Sequence, residues 1–434
     1  MKIEFSKLKK HIRYPPLILY NFDSSNFSFE MNYKEAVEWL FVQLPVFQHS
    51  GSSAYRADIG NITELCDRLG NPQENYKTIH MAGTNGKGSS CHMMASIFQQ
   101  SGYKTGLYTS PHLKDFRERI RVNGQLCSED FVTDFVNLNF EFIKSLNASF
   151  FEVTTAMAFE YFSRSKVDVA VIETGLGGRL DSTNIIRPVL SVITNIGLDH
   201  TAILGDTLAK IAFEKAGIIK KEIPAVIGET TDETRPVFRK KSKETHSELI
   251  FAEELNYPEY ESDLKGIYQS KNKKTVLAAV DQLRKSGFEI SEDSVRKGLL
   301  NVVSNTGLRG RWEILNQKPL TVADTAHNPH GLAEIKKQIE SVNYKKLHLV
   351  LGFVSDKDVK SILNFFPKDA VYYFCQPNVS RKFKIEELQK IIPKKLNANY
   401  YKSVKEAFDA ARSNSAKDDL IYIGGSTYVV AEIL

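Results

Sequence analysis

The stretch "HMAGTNGKGSS", His80 to Ser90, packs three glycines around one lysine, with an apolar run on either side. The preceding "YKTIHMAG" reads as a buried strand and the following "CHMMASIFQQSG" as a helix. A glycine loop between a strand and a helix steers the chain toward α/β folds and toward phosphate chemistry. Successive N–H groups and the helix N-terminus attract an anion there, glycines let it approach the backbone, and Lys87 adds a point charge. The spelling is unusual. The common form G-x-x-x-x-G-K-[ST] would put glycine at position 81 and a hydroxyl directly after Lys87. Those positions hold Met81 and Gly88, and the first hydroxyl, Ser89, comes one place late.

Strand and helix patterns alternate on both sides of this loop. "KTGLYTS", "VDVAVIETG" and "VLSVITNIG" read as strands and "FEVTTAMAFEYFSRS" as a helix. Upstream, "NYKEAVEWLFVQL" after Met31 and "SAYRADIGNITELCDRLGN", ending at Gly70, show helical spacing. The alternation implies an α/β fold with a doubly wound parallel sheet. A chain of 434 residues also exceeds one core, since single cores stop growing near ~250–300 residues. The pattern restarts around "NVVSNTGLRGRWEIL", and "PLTVADTAHNPHG", "KLHLVLGFVSDKD", "DAVYYFCQP" and "DLIYIGGSTYV" read as further strands. The expected organisation is an N-terminal extension over residues 1–30, a P-loop doubly wound domain over 31–306, and a smaller Rossmann-like α/β domain over 307–434. The extension is broken by Pro15 and Pro16 and is too poor in apolar residues for a signal-peptide core.

Charge and cysteine usage narrow the partners. A net charge of +5 from 57 basic and 52 acidic residues, with no long basic block, argues against nucleic acid and for small anions. No apolar run approaches the ~20 residues that span a bilayer, so no membrane role is expected. The four cysteines show no C-x-x-C spacing and read as buried thiols of a cytoplasmic protein.

Two further clusters carry chemistry. In "VIETGLGGRLDSTNII", Glu173 ends an apolar strand, the edge where open α/β sheets bind ligands, and a carboxylate there can hold Mg²⁺ facing phosphates. The bland reading is a solvated strand-end carboxylate. In "GLDHTAILGDTLAKIAFEKAGIIK", His200 and Lys215 are separated by about four helical turns. A lone histidine in such a position is usually a satisfied polar residue rather than a ligand.

Taken together, "GTNGKGS", "LYTSPHL", "RERI", "ETGLGGRLDSTN", "GLDHTAILG", "EKAGIIK", "GRWE" and "DTAHNPHG" resemble, in order and spacing, the folylpolyglutamate and dihydrofolate synthases of the Mur ligase superfamily. The resemblance runs from about Met31 to the C-terminus and explains the late hydroxyl, since that family spells its ATP loop G-T-N-G-K-G-[ST]. It implies that Asn85, Gly86, Lys87, Gly88 and Ser89 hold the ATP phosphates and that Ser110, Glu173 and His200 ligate Mg²⁺. It implies a carbamylated Lys215 supporting a second Mg²⁺. It further assigns ATP contacts to Arg311, Asp324 and Asn272, and places His327 near the amino-acid end of the site. The pterin would lie on Phe151, near Leu180 and Asp181. Thr325 departs from the glycine of many relatives.

The activity so implied is ATP-dependent addition of L-glutamate to dihydropteroate or to a folate through an acyl phosphate, by a monomer with Lys87, Lys215 and His327 in the chemistry. Two competitors stand beside it. One is a cell-wall ligase acting on a UDP-linked acid, disfavoured because the chain passes almost directly from Met31 into the ATPase pattern. The other is a nucleotide-dependent switch, disfavoured because a switch needs no second substrate domain.

Overall fold

The computed structural model describes residues 30–45, 58–355 and 357–434. The expected extension over 1–30 therefore falls, but for its last residue, outside the described residues, as do positions 53–57 of the second helical pattern. Its described part is the helix Gly60–Arg68, after which Gly70 turns the chain with φ 77°. The helix Tyr33–Gln43 carries a capping box between Asn32 and Glu35, and Asn137 holds both backbone groups of Met31, at 3.1 and 2.9 Å.

Fourteen strands are described, in two sheets. The first sheet contains β1 (Lys77–Ala82), β2 (Thr105–Tyr108), β3 (Ile120–Val122), β4 (Gln125–Leu126), β5 (Val169–Glu173), β6 (Leu190–Ile193), β7 (Ala225–Ile227) and β8 (Leu249–Phe251). The second contains β9 (Glu313–Gln317), β10 (Leu320–Ala323), β11 (Leu347–Leu351), β12 (Val371–Cys375), β13 (Asn397–Tyr401) and β14 (Leu420–Gly424). Their orders are β4-β3-β2-β5-β1-β6-β7-β8 and β13-β12-β11-β14-β10-β9.

Both sheets are mixed, whereas the alternating pattern predicts a parallel sheet. β3 runs antiparallel to β2 and to β4, and β9 runs antiparallel to β10. The first exception has a local cause: Asn123 and Gly124 both take positive φ, 46° and 75°, as a tight type I′ hairpin requires. Elsewhere the doubly wound character holds. β1 lies between β5 and β6, so the chain leaves the carboxyl end of β1 at a point where strand order reverses, and the crevice that binds ligands in such sheets opens there.

Packing fixes the loop that starts at this crevice. The helix Lys87–Gln100 is buried from Ser89 to Phe98, because the helices Gln269–Lys285 and Glu292–Leu300 cover it. At Gly298 the covering helix comes so near that a Cβ would lie 2.7 Å from the Ile97 backbone, and Ser96 donates to the Gly298 carbonyl at 2.6 Å. A helix wedged this way holds the N–H groups of its first turn in one direction.

The spacing between His200 and Lys215 is not that of one helix. His200 caps the short helix Thr201–Leu204, Gly205 breaks it with φ 95°, and a new helix begins at Leu208. The break follows from Gly205, which no longer helical segment accommodates cheaply. Among the described residues, no helix is long and apolar enough to cross a membrane.

Candidate active site

The glycine loop forms the floor of the site. Gly86 has φ 81° and sits where a Cβ would lie 2.2 Å from the Asn272 Oδ1, so only glycine lets the loop turn beneath Asn272. Asn272 in turn donates to Gln269 Oε1 at 2.8 Å, and Gln269 donates to the buried Ser89 hydroxyl at 3.1 Å. The late hydroxyl is thereby oriented from outside the loop, by a glutamine three residues before Asn272 that spacing alone did not single out. Lys87 Nζ donates to the carbonyls of Gly83 and Thr84 at 3.0 and 3.3 Å. Gly88 lies beneath two charged groups: its Cβ position is 3.6 Å from an Arg311 nitrogen and 3.8 Å from Glu173 Oε2.

Glu173 and Ser110 come from adjacent strand ends. The Ser110 N–H donates to Glu173 Oε2 at 3.1 Å, and Glu173 pairs in register with Met81 of β1. Burial pushes the Glu173 carboxyl up, opposed by Lys87, the Ser110 N–H and Arg311. His200 stands across the loop with its pKa lowered to about 4, chiefly by burial and against the pull of Asp199. It is therefore the neutral imidazole a metal requires.

These three candidates straddle two joined cavities. Glu173 lines the first, His200 the second, and Ser110 and Lys87 line both. Among the described residues no three His, Cys, Asp or Glu side chains cluster as a metal site. That donor set fits Mg²⁺ of one kind: an ion held by one carboxylate, one hydroxyl and one imidazole, with the remaining positions filled by substrate phosphates and water.

Lys215 approaches from the helix Leu208–Ala216. Its Nζ donates to the Gly83 carbonyl at 2.8 Å, and burial, with Lys87 nearby, lowers its pKa to about 7.

The second cavity holds the aromatic candidates. Phe151 and Leu180 line it, and the Phe151 ring presses on Gly175, where a Cβ would lie 2.5 Å from the ring. Asp181 also lines the cavity, but its carboxylate already accepts from the Leu176 N–H at 2.7 Å and from Thr183 N and Oγ1 at 3.0 and 2.5 Å. His80 backs Thr183 at 2.8 Å, completing a buried polar chain behind the cavity.

The second domain supplies the opposite wall. Asp324 accepts from the Tyr268 hydroxyl and the Trp312 N–H, each at 2.6 Å, and from the Ala326 N–H at 2.8 Å. Arg311 donates to the Gly310 carbonyl at 3.1 Å and to the Thr325 hydroxyl. The residue departing from glycine thus serves Arg311, and its turn is tied down by Thr325 N–H to the Gly310 carbonyl at 3.1 Å. His327 lines both cavities. Its Nδ1 lies 3.0 Å from the Thr325 carbonyl, which fixes that nitrogen as the donor and leaves Nε2 as an acceptor.

Five participants escaped the sequence reading: Asp199, Tyr268, Gln269, Asn328 and Lys357. Asn328 and Asp199 lie inside quoted motifs, and Asn-Pro at a helix start is an N-cap signal. Burial pushes the Asp199 carboxyl up, but His200, His327 and Lys357 outweigh it and hold the group down, at about 2.

A phosphate cradle at a strand-order reversal, faced across one cleft by a second α/β domain, defines a two-domain ligase of the Mur type. The Mur ligase middle domain matches residues 81–292 and the Mur ligase glutamate ligase domain matches residues 310–427. Within that class the chain belongs to the folylpolyglutamate synthase/dihydrofolate synthase family. It is 32% identical over 439 residues to the Bacillus subtilis dihydrofolate synthase/folylpolyglutamate synthase, covering 92% of this chain and 98% of that one. It is 34% identical to a probable bifunctional folylpolyglutamate synthase/dihydropteroate synthase of Haloferax volcanii, matching 93% of this chain but spanning only 50% of that protein's length. Two solved structures share the fold. Escherichia coli FolC in complex with DHPP and ADP superposes with a TM-score of 0.79 at 30% identity, covering 92% of this chain and 96% of that one. The Yersinia pestis bifunctional enzyme with AMPPNP and Mn gives 0.79 at 27% identity, covering 93% and 98%.

Proposed function

We propose that this chain is an ATP-dependent amide ligase that joins L-glutamate to the carboxylate of dihydropteroate or of tetrahydrofolate, releasing ADP and phosphate. The observation that carries the reading is the shared cleft: Lys87 and Ser89 of the ATP loop form one wall, and Arg311, Asp324 and His327 of the glutamate ligase domain the other. Its relatives by sequence carry the names of both activities.

A carboxylate is a poor acyl donor, because oxide would have to leave. A carboxylate oxygen of the pterin acid therefore attacks the γ-phosphorus of ATP, the bond to ADP breaks, and an acyl phosphate forms. Lys87 and the loop N–H groups offset charge on the transferring group, where such catalysis mostly resides. Mg²⁺, held by Ser110, Glu173 and His200, supplies further charge neutralisation when bound. The glutamate amine then adds to the acyl carbon, loses a proton, and phosphate departs. His327 Nε2 is an acceptor on the glutamate side of the cleft, placed to take that proton. Phe151 offers a face for the pterin.

Finer features belong to the same proposal. Asn272, Gly86, Gly88, Arg311 and Asp324 contact ATP, while the Asn85 amide is turned to the second domain. Leu180 and Asp181 border the pterin. Lys215, which loses its proton near pH 7, would as the free amine take up carbon dioxide and release a proton, giving an anionic group able to ligate a second Mg²⁺. The domains divide near residue 307. One chain builds both walls, so a monomer suffices, and four free buried thiols suit a reducing cytoplasm.

The test is ADP release from the purified protein. Release should require both a pterin acid and L-glutamate. ADP formed at full rate without either would instead support a nucleotide switch.

A further inference from the structure

The ATP loop and the second domain are joined by a pair of amides 243 residues apart. Asn85 Nδ2 donates to Asn328 Oδ1 at 3.2 Å, and Asn328 Nδ2 donates back to Asn85 Oδ1 at 3.0 Å. Asn85 Nδ2 also lies 2.9 Å from His330 Nδ1. An amide nitrogen only donates, so His330 Nδ1 is the acceptor in this contact. The backbone of Asn85 is engaged from the other side. Its N–H donates to Asn195 Oδ1 at 3.0 Å, and its carbonyl accepts from Thr194 Oγ1 at 2.6 Å. Every polar group of Asn85 thus has a protein partner, with the side chain given wholly to the second domain.

Asn328 is the hub. It is buried, caps the helix Pro329–Glu340 through the Gly331 N–H at 2.8 Å, and donates to Asp199 Oδ2 at 2.9 Å. Asp199 precedes His200 and accepts the His200 N–H at 3.0 Å. One side chain of the second domain therefore touches both the loop that carries Lys87 and the loop that carries His200.

We propose that Asn85, Asn328 and Asp199 form a polar latch that holds the two domains in register around the ATP loop, with Asn328 as a positioning residue for ligation. Reciprocal amide bonds are directional and form only at one relative placement of the two domains. Apart, each amide would bond to water, so the latch acts less by net affinity than by selecting one closed arrangement. The effect on turnover rests on the ligase reading above. A latch that closes the cleft keeps water from the acyl phosphate, so loosening it should uncouple ADP release from amide formation.

The decisive variant is Asn328→Asp. It preserves the oxygen that caps Gly331 but turns the donor contacts to Asn85 Oδ1 and Asp199 Oδ2 into oxygen–oxygen repulsion. Amide formation should fall at least tenfold, the ADP released per amide should rise, and thermal unfolding should stay near that of the parent chain. Adding Asp199→Asn restores an N–H between positions 199 and 328 and should recover part of the coupling. A second readout needs no turnover: small-angle scattering of the full chain with a non-hydrolysable ATP analogue should show a more open particle for Asn328→Asp. Unchanged scattering together with an unchanged ADP-to-amide ratio would overturn the latch. A parent chain that makes no amide would overturn the ligase reading instead, leaving the scattering comparison to decide the latch.

Discussion

Lys87 and Lys215 direct their ammonium groups at one oxygen, the Gly83 carbonyl, from 3.0 and 2.8 Å. Two like charges on one acceptor are tolerable only if one of them gives up its proton easily. Lys215, enclosed and facing Lys87, is that one.

Its pKa near 7 sets a pH window for the modification proposed above. Carbon dioxide adds only to the neutral amine, whose nitrogen bonds the carbon and releases a proton. The carbamate should therefore grow as pH rises through about 7. In ¹³C spectra of protein equilibrated with labelled bicarbonate, a carbamate signal should be stronger at pH 8 than at pH 6 and absent from Lys215→Arg. A signal that survives Lys215→Arg belongs to another amine.

Lys87→Ala should abolish ligation without unfolding the chain. Its amine contacts two loop carbonyls and no core side chain, so the loss is of charge at the phosphates, on the order of 10²-fold or more in rate. Turnover equal to the parent chain would remove Lys87 from the site.

Glu173→Gln should raise the Mg²⁺ concentration needed for half-maximal rate by roughly tenfold or more, because a neutral amide is a poorer partner for a hard cation. The variant can still accept the Ser110 N–H, so unfolding should be unaffected. Overlapping Mg²⁺ titrations would make Glu173 a structural strand-end residue.

The parts of this site that were legible in the sequence are those whose chemistry is local. A loop spelled with three glycines and a lysine, and Glu173 at the end of an apolar run, each declare themselves within a few residues, whereas His327 enters only through the family resemblance. The latch does not, because Asn85 and Asn328 acquire meaning only from a pairing across two domains, which no periodicity encodes. The same holds for Gln269 on Ser89 and Tyr268 on Asp324, where an ordinary polar residue becomes specific through its partner. The hairpin β3–β4 was missed for a different reason: its strands have three and two residues, too few for an alternation to show, and only Asn123-Gly124 marks it.

Gly175→Ala should act on one substrate alone. The added methyl would lie 2.5 Å from the Phe151 ring, so the ring must swing away and surrender its face to the cavity. The KM for the pterin acid should rise several-fold while that for ATP stays the same. Parallel rises in both would mean that the substitution disturbs the sheet end rather than the aromatic face.

Substrate range is the widest question, and the cavity beside Phe151 bears on it. Dihydropteroate and tetrahydrofolate share a pterin–aminobenzoate unit, and the second extends it by one glutamate. A site that reads the aromatic part through Phe151 and Leu180 can admit either, provided the terminal carboxylate reaches the ATP γ-phosphate beside Lys87. The second cavity runs from Phe151 to Lys87 and on to His327 and Tyr428, so it spans both domains. Assayed in parallel with ATP, Mg²⁺ and L-glutamate, each acid should be turned over. Turnover of one alone would restrict the chain to that activity, and turnover of neither by a preparation that binds ATP would remove the pterin acids as its substrates.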